Sequence, residues 1–264
     1  MMKKMINSFK IAFSMYSKIP MPQAEWTKEN MEYAFVFFPW IGIVTGGLFF
    51  VVHYIKEFCQ MKCLPISDTV FVVLYVLIPL FVTGGIHMDG YLDTKDAMSS
   101  WQTKERRLEI LKDPHTGAFA VIWCGIYLLC QLGVYSCITN NSFWVIVLGF
   151  CLSRSFSGLS VLCFPKANKT GTVAHFSENA QKKTVAACLV CYVIAIGLAM
   201  VILGKITGAV SFITAFLVFC YYKKMSMKYF GGVTVDLAGY FLQVCELWIG
   251  ISAVAADMIG RLFM

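Results

Sequence analysis

Charge is scarce in this chain. Only 14% of its 264 residues are Asp, Glu, Lys or Arg, against about a quarter in an ordinary soluble domain. Acids are scarcer still, at 15. A water-soluble globule of this length would need more polar surface than that. Internal repeats, low-complexity tracts and polar linkers are missing too, so the reading is one domain over 1–264. No uninterrupted apolar leader follows Lys3 and Lys4, because Lys10 and Lys18 break it. A cleavable signal peptide is therefore not expected. Nor does any basic face interleave with exposed aromatics, so the net charge of +7 does not point to nucleic acid.

Apolar residues are what the chain has in quantity. They make up 58% of it, and the mean hydropathy is +0.69. They fall in uncharged runs long enough to span a bilayer. Seven spans are expected, at roughly 33–55, 69–88, 117–138, 143–163, 185–203, 206–222 and 237–256. The fold class is thus an all-α polytopic transmembrane bundle. With the N-terminus placed in the cytoplasm, the inner segments 1–32, 89–116, 164–184 and 223–236 hold seventeen Lys and Arg. The outer segments hold four: Lys56, Lys62, Lys205 and Arg261. This is the bias of the positive-inside rule. Segment 1–32 begins with Ile6, Phe9, Phe13 and Tyr16 at helical spacing. It reads as an interfacial amphipathic helix or as a core-facing one. Nine of the eleven cysteines lie inside apolar spans, where they act as small hydrophobes. Cys188 and Cys191 are among them, too sheltered for a redox or zinc pair.

Six of the fifteen acids crowd into 25 residues: Asp89, Asp93, Asp96, Glu105, Glu109 and Asp113. The segment 87–117 is therefore expected to be a cytoplasmic catalytic loop. Asp89, Asp93 and Asp96, spaced i, i+4, i+7, share one face of a helix directly after the second span. Like charges so placed repel, and something cationic has to offset them. One solution is Mg²⁺, which binds a few carboxylates together with substrate phosphate. The other is a solvated face paired with Lys95, Arg106 and Arg107. Asp113, before the turn at Pro114, either closes the metal site or caps the next helix. His87 and His115 flank the cluster as candidates for phosphate contact or proton transfer.

Arg154 is the one Lys or Arg inside a predicted span. It is read either as a phosphate ligand or as a partner of Glu246. Lys166, Lys169, Gly171 and His175 lie on an inner loop whose charge serves topology or an anion. Gly231, Gly232, Thr234 and Asp236 form a Gly-Gly turn at the last span. Backbone N–H groups there can meet a phosphate, and Asp236 can reach the metal site or cap the helix.

Taken together, these segments resemble the cobalamin synthase (adenosylcobinamide-GDP ribazoletransferase) family. SKIPMP is similar to its short Pro-x-Pro segment. HMDGYLDTKDA resembles its His-x-Asp-Gly-x-x-Asp-x-x-Asp motif, and LEILKDPHTGAFAV its Lys-Asp segment. Arg154 and GGVTVDLAG resemble two later features. Ala97, Val235 and Asn168-Lys169 depart from the usual residues. The resemblance spans nearly the whole chain. It implies a plasma-membrane enzyme with its active site facing the cytoplasm, acting with Mg²⁺. Such an enzyme joins adenosylcobinamide-GDP to α-ribazole, or to its 5′-phosphate, and releases GMP. On this reading Asp89, Asp93, Asp96 and Asp113 bind metal, and the first three with His87 are catalytic. Lys112, Arg107, Arg154, His115, Gly232, Thr234 and Asp236 bind substrate. A homo-oligomer and contacts with other corrinoid-synthesis enzymes stay open as partners, beside the lipid bilayer. The aspartate motif also resembles that of CDP-alcohol phosphotransferases. A transporter is the rival from another class, but inverted halves with broken helices are not evident.

Overall fold

A computed structural model describes residues 2–167 and 181–262. Lys169, Gly171 and His175 lie outside them. The described residues are helical, with one isolated bridge pairing Lys166 and Val233. In order, the elements are α1 (Met2–Tyr16), α2 (Lys28–Met31), a 3₁₀ turn (Ala34–Phe37), α3 (Phe38–Met61), α4 (Asp68–Thr83) and α5 (Ile86–Ser99). Then come α6 (Lys104–Ile110), α7 (Ala118–Ser136), α8 (Asn140–Cys163), α9 (Lys182–Phe230) and α10 (Val235–Leu262).

Among the described residues, five helices are long and apolar enough to cross a membrane, or six if the bent pair α4–α5 counts as one span. The 49-residue α9 is two arms rather than one rod. Lys205 breaks it with φ 50° and ψ −126°, and Gly208 packs back against the Met200 carbonyl. The break falls between the predicted spans 185–203 and 206–222. Apolar side chains such as Leu129 and Ile202 point outward from α7 and α9 at 69% and 74% exposure. In water such a surface would aggregate; in lipid it is the expected exterior. The chain is a multi-pass membrane protein.

Two predicted boundaries shift. The second span was drawn to residue 88, but α4 stops at Thr83. Gly84 and Gly85 take left-handed φ of 66° and 81°, which glycine adopts without steric cost. The chain there bends by 96°. Segment 87–117, read as a loop, is mostly α5 and α6. Strong helix formers fill α6, while α5 is held by its packing against α10 and α7. At the N-terminus, α1 packs into the bundle through Ser8, Ile11, Ala12 and Phe13. The Ser8 hydroxyl donates to the Asn30 carbonyl at 2.6 Å. The core-facing stripe is thus rotated from the expected one, and Ile6 stays exposed.

At the centre, α8 is buried almost all round. Arg154, 1% exposed, pairs with Glu246 of α10 at 2.8 Å. It also donates to the Phe150 carbonyl at 2.7 Å, and Ser153 donates to the same Glu246 oxygen at 2.8 Å. A buried charge that loses its partner costs about 3–5 kcal/mol, whereas replacing both by apolar groups is close to neutral. Glu246→Leu alone should therefore destabilise the detergent-solubilised protein by about that much. Adding Arg154→Met should recover most of the loss, read as thermal unfolding.

Candidate active site

Helix α5 does not continue the line of α4. It crosses the ends of α10 and α7, and two glycines set how closely. A Cβ on Gly90 would stand 2.6 Å from the Asp236 carbonyl oxygen, and one on Gly239 3.1 Å from the His87 carbonyl oxygen. Only bare backbone lets the two helices meet this way. The crossing brings Asp89 and Asp93 of α5 to the first turn of α10, where Asp236 lies. On the far side, the Asp96 carboxylate packs directly on Gly117, the residue that opens α7. A helix N-terminus favours negative charge.

Asp89, Asp93, Asp96 and Asp236 thus form one acidic patch. Its signature is at Asp93, whose carboxyl is pushed up to about 6. Partial burial is the main cause, and repulsion from Asp89, Asp236 and Asp96 adds to it. A carboxylate paired with Lys or Arg would move the other way.

The bases of the segment are spent elsewhere. Lys95 lies 3.6 Å from the centre of the Trp123 ring, with Tyr91 and Tyr240 also near. Arg106 pairs with Glu109 at 2.7 Å. Arg107, 7% exposed, stacks on Tyr229. Among the described residues, no ion pair reaches Asp89, Asp93, Asp96 or Asp236. The solvated face paired with Lys95, Arg106 and Arg107 is therefore not what forms.

Other candidates separate from the patch. Asp113 is solvent-facing and bonded to His115 Nδ1 at 2.7 Å. The His115 N–H, 2.9 Å away, and ring hold its carboxyl below the usual range. Among the described residues, the Asp113 carboxylate bonds to His115 and not to the other aspartates or their partners. Arg154 is taken by Glu246 in the bundle interior, so the Glu246 partner is the reading that stands. His87 is 5% exposed and faces inward. Lys112 is exposed just beyond α6.

The Gly-Gly turn does reach the site. Val233 donates to the Pro165 carbonyl at 2.9 Å, and Ala167 to the Val233 carbonyl at 3.2 Å. This short strap ties residues 165–167 to the turn between α9 and α10. Thr234 accepts from Leu237 N at 3.2 Å and its hydroxyl donates to Asp236 Oδ2 at 3.5 Å, which holds the Asp236 carboxylate at the first turn of α10. Gly231 takes φ 75°, and Gly232 sits against the backbone of Lys166 and Ala167. Sequence reasoning missed Gly90. The available signal was a glycine inside a helical stretch, which costs stability unless a close approach requires it.

Among the described residues, no three of His, Cys, Asp and Glu stand close enough to enclose a metal ion. The donor set still suits a hard divalent cation. It consists of carboxylate oxygens, partly open and without a counter-charge. Mg²⁺ commonly takes one or two carboxylates and completes its shell with waters and substrate phosphates.

Comparison with known proteins places the chain in a family. The family model described as cobalamin-5-phosphate synthase matches residues 8–254. An adenosylcobinamide-GDP ribazoletransferase of Lachnoclostridium phytofermentans is 47% identical over 96% of this chain and 95% of its own. A protein of that name from Treponema denticola is 31% identical over 92% and 95%. One from Clostridium botulinum is 29% identical over 93% and 96%. No solved structure matches. The helical membrane bundle, the crossed aspartate helix and the full-length match together make the chain a member of the cobalamin-5-phosphate synthase family.

Proposed function

We propose that the chain is an adenosylcobinamide-GDP ribazoletransferase of the plasma membrane, with the acidic patch as its cytoplasm-facing catalytic centre. It assembles the nucleotide loop of cobalamin. The observation that carries the site assignment is the set of four carboxylates gathered at the α5–α10 crossing with no basic partner. Such a patch calls for a cation, and a diphosphate substrate shares one readily.

The 5′-hydroxyl oxygen of α-ribazole attacks the phosphorus linked to cobinamide. A new P–O bond forms there, the bond to the GMP oxygen breaks, and GMP leaves. The hydroxyl proton passes to a carboxylate of the patch, and Asp93 suits this because its environment raises its affinity for a proton. Asp89 and Asp236, on either side of the crossing, would hold a divalent cation, which when bound would neutralise charge on the diphosphate and on the departing GMP. The N-terminus of α10 at Thr234 and Val235 is the candidate phosphate contact, whereas the Gly232 N–H is spent on the Ser226 carbonyl and Lys112 lies apart beside Asp113. Arg107, Arg154 and His115 lie outside this role because their side chains are engaged with Tyr229, Glu246 and Asp113.

Membranes carrying the protein should convert adenosylcobinamide-GDP and α-ribazole to GMP and a complete corrinoid. EDTA should stop the reaction and added Mg²⁺ restore it. Release of CMP from a CDP-alcohol, with no corrinoid product, would instead favour the CDP-alcohol phosphotransferase reading.

Single substitutions separate the patch from its neighbours. Asp89→Asn and Asp236→Asn should each lower turnover by about 100-fold or more, the scale of losing a charge-stabilising group. Asp113→Asn should keep turnover within a few-fold, since its carboxylate serves only His115. Equal losses at all three would return Asp113 to the metal site. Monodispersity on size-exclusion checks that each variant is folded.

A further inference from the structure

Beside the acidic patch lies a second feature that the phosphoryl chemistry does not use. A cavity of about 190 Å³ sits between α1, α3, α5, α8 and α10. Its wall includes Tyr16, Phe38, His87, Ser157, Gly239 and Leu242. The aromatic part is well packed. Tyr16 and Phe38 have ring centres 4.5 Å apart, and His87 stands edge-on to Phe38 at 6.0 Å.

The histidine sets this cavity apart from an ordinary packing gap. His87 is 5% exposed, and its Nε2 has no hydrogen-bond partner among the described residues. A buried polar atom left unsatisfied is costly and rare. The cavity offers the space in which a partner would sit.

Size and polarity narrow the occupant. An apolar cavity of about 150 Å³ holds benzene, so this one suits a somewhat larger flat ring. A corrin is far too big. Guanine carries several donors and acceptors, each needing a partner that this mostly apolar wall lacks. An acyl chain would fill space but leave His87 unpaired. The base of α-ribazole, 5,6-dimethylbenzimidazole, is a small apolar bicycle with one free ring nitrogen once ribose is attached.

Position agrees. His87 precedes Asp89 by two residues on α5, and Asp236 lies between Val235 and Ala238, both of which line the cavity. Gly239 of the wall packs on the His87 backbone, so the cavity adjoins the α5–α10 contact that also carries Asp236. We propose that this cavity is the base-binding subsite for α-ribazole, with His87 as the hydrogen-bonding side chain that positions the ring. The proposal rests on the activity given above and assigns its second substrate a place.

The test uses the full chain in lipid nanodiscs. Free 5,6-dimethylbenzimidazole should raise the melting temperature of wild type saturably, without turnover being needed. Ala238→Leu, which fills the cavity, should abolish that shift. His87→Ala should weaken it by about tenfold, the scale of one buried hydrogen bond, and His87→Gln should keep part of it. In turnover, both His87→Ala and Ala238→Leu should raise the KM for α-ribazole and leave that for adenosylcobinamide-GDP unchanged. If Ala238→Leu does not fold, His87→Ala carries the comparison. Failure of the free base to bind wild type, or variants that bind it as tightly, would overturn the subsite. So would a rise in both KM values together. Wild type that binds the base yet releases no GMP would instead overturn the activity and leave the cavity as a heterocycle site.

Discussion

The contact on which the rest of this site depends is between two backbones. Gly90 and Gly239 remove the side chains that would hold α5 off α10, and Asp236 then meets Asp89 and Asp93. In lipid, close helix approach through small residues takes the place of the hydrophobic drive that water supplies. Without that approach, Asp236 of α10 would stand away from Asp89 and Asp93 of α5. The Gly84–Gly85 turn makes it available, because it swings α5 sideways by 96° and off the axis of the preceding span.

Charge is handled in opposite ways within a short distance. In the interior, Arg154 and Glu246 compensate each other, and Ser153 and the Phe150 carbonyl satisfy further atoms. At the crossing, four carboxylates are left without a base. The nearest in sequence, Lys95, is enclosed by Trp123, Tyr91 and Tyr240, where ring faces stabilise its charge. One pair stabilises the bundle, while the other arrangement leaves its negative charge uncompensated among the described residues.

Much of this was legible in the sequence because the physics is local. Apolar runs separated by Lys and Arg marked the helices, and i, i+4, i+7 spacing put the three aspartates on one face. The notch between 203 and 206 marked the break at Lys205. Long-range placement was not legible. Asp113 is in the same acidic stretch as Asp93, but the Pro114 turn sends it to solvent with His115. His87 heads the motif, yet its ring turns into the bundle. Arg154 had two readings of equal chemistry, and only the fold chose Glu246. The end of the second span was misjudged because hydropathy does not register a left-handed turn at two glycines.

The crosswise course of α5 has a consequence for how the membrane acts on this protein. Asp236 rides on a helix of transmembrane length, while Asp89, Asp93 and Asp96 ride on one lying across its end. Spanning helices tilt when the hydrocarbon layer is thinner or thicker than their apolar length. A tilt of α10 moves one side of the patch relative to the other, about the glycine contact as pivot. Bilayer thickness is thereby coupled, through hydrophobic mismatch, to the geometry of the patch.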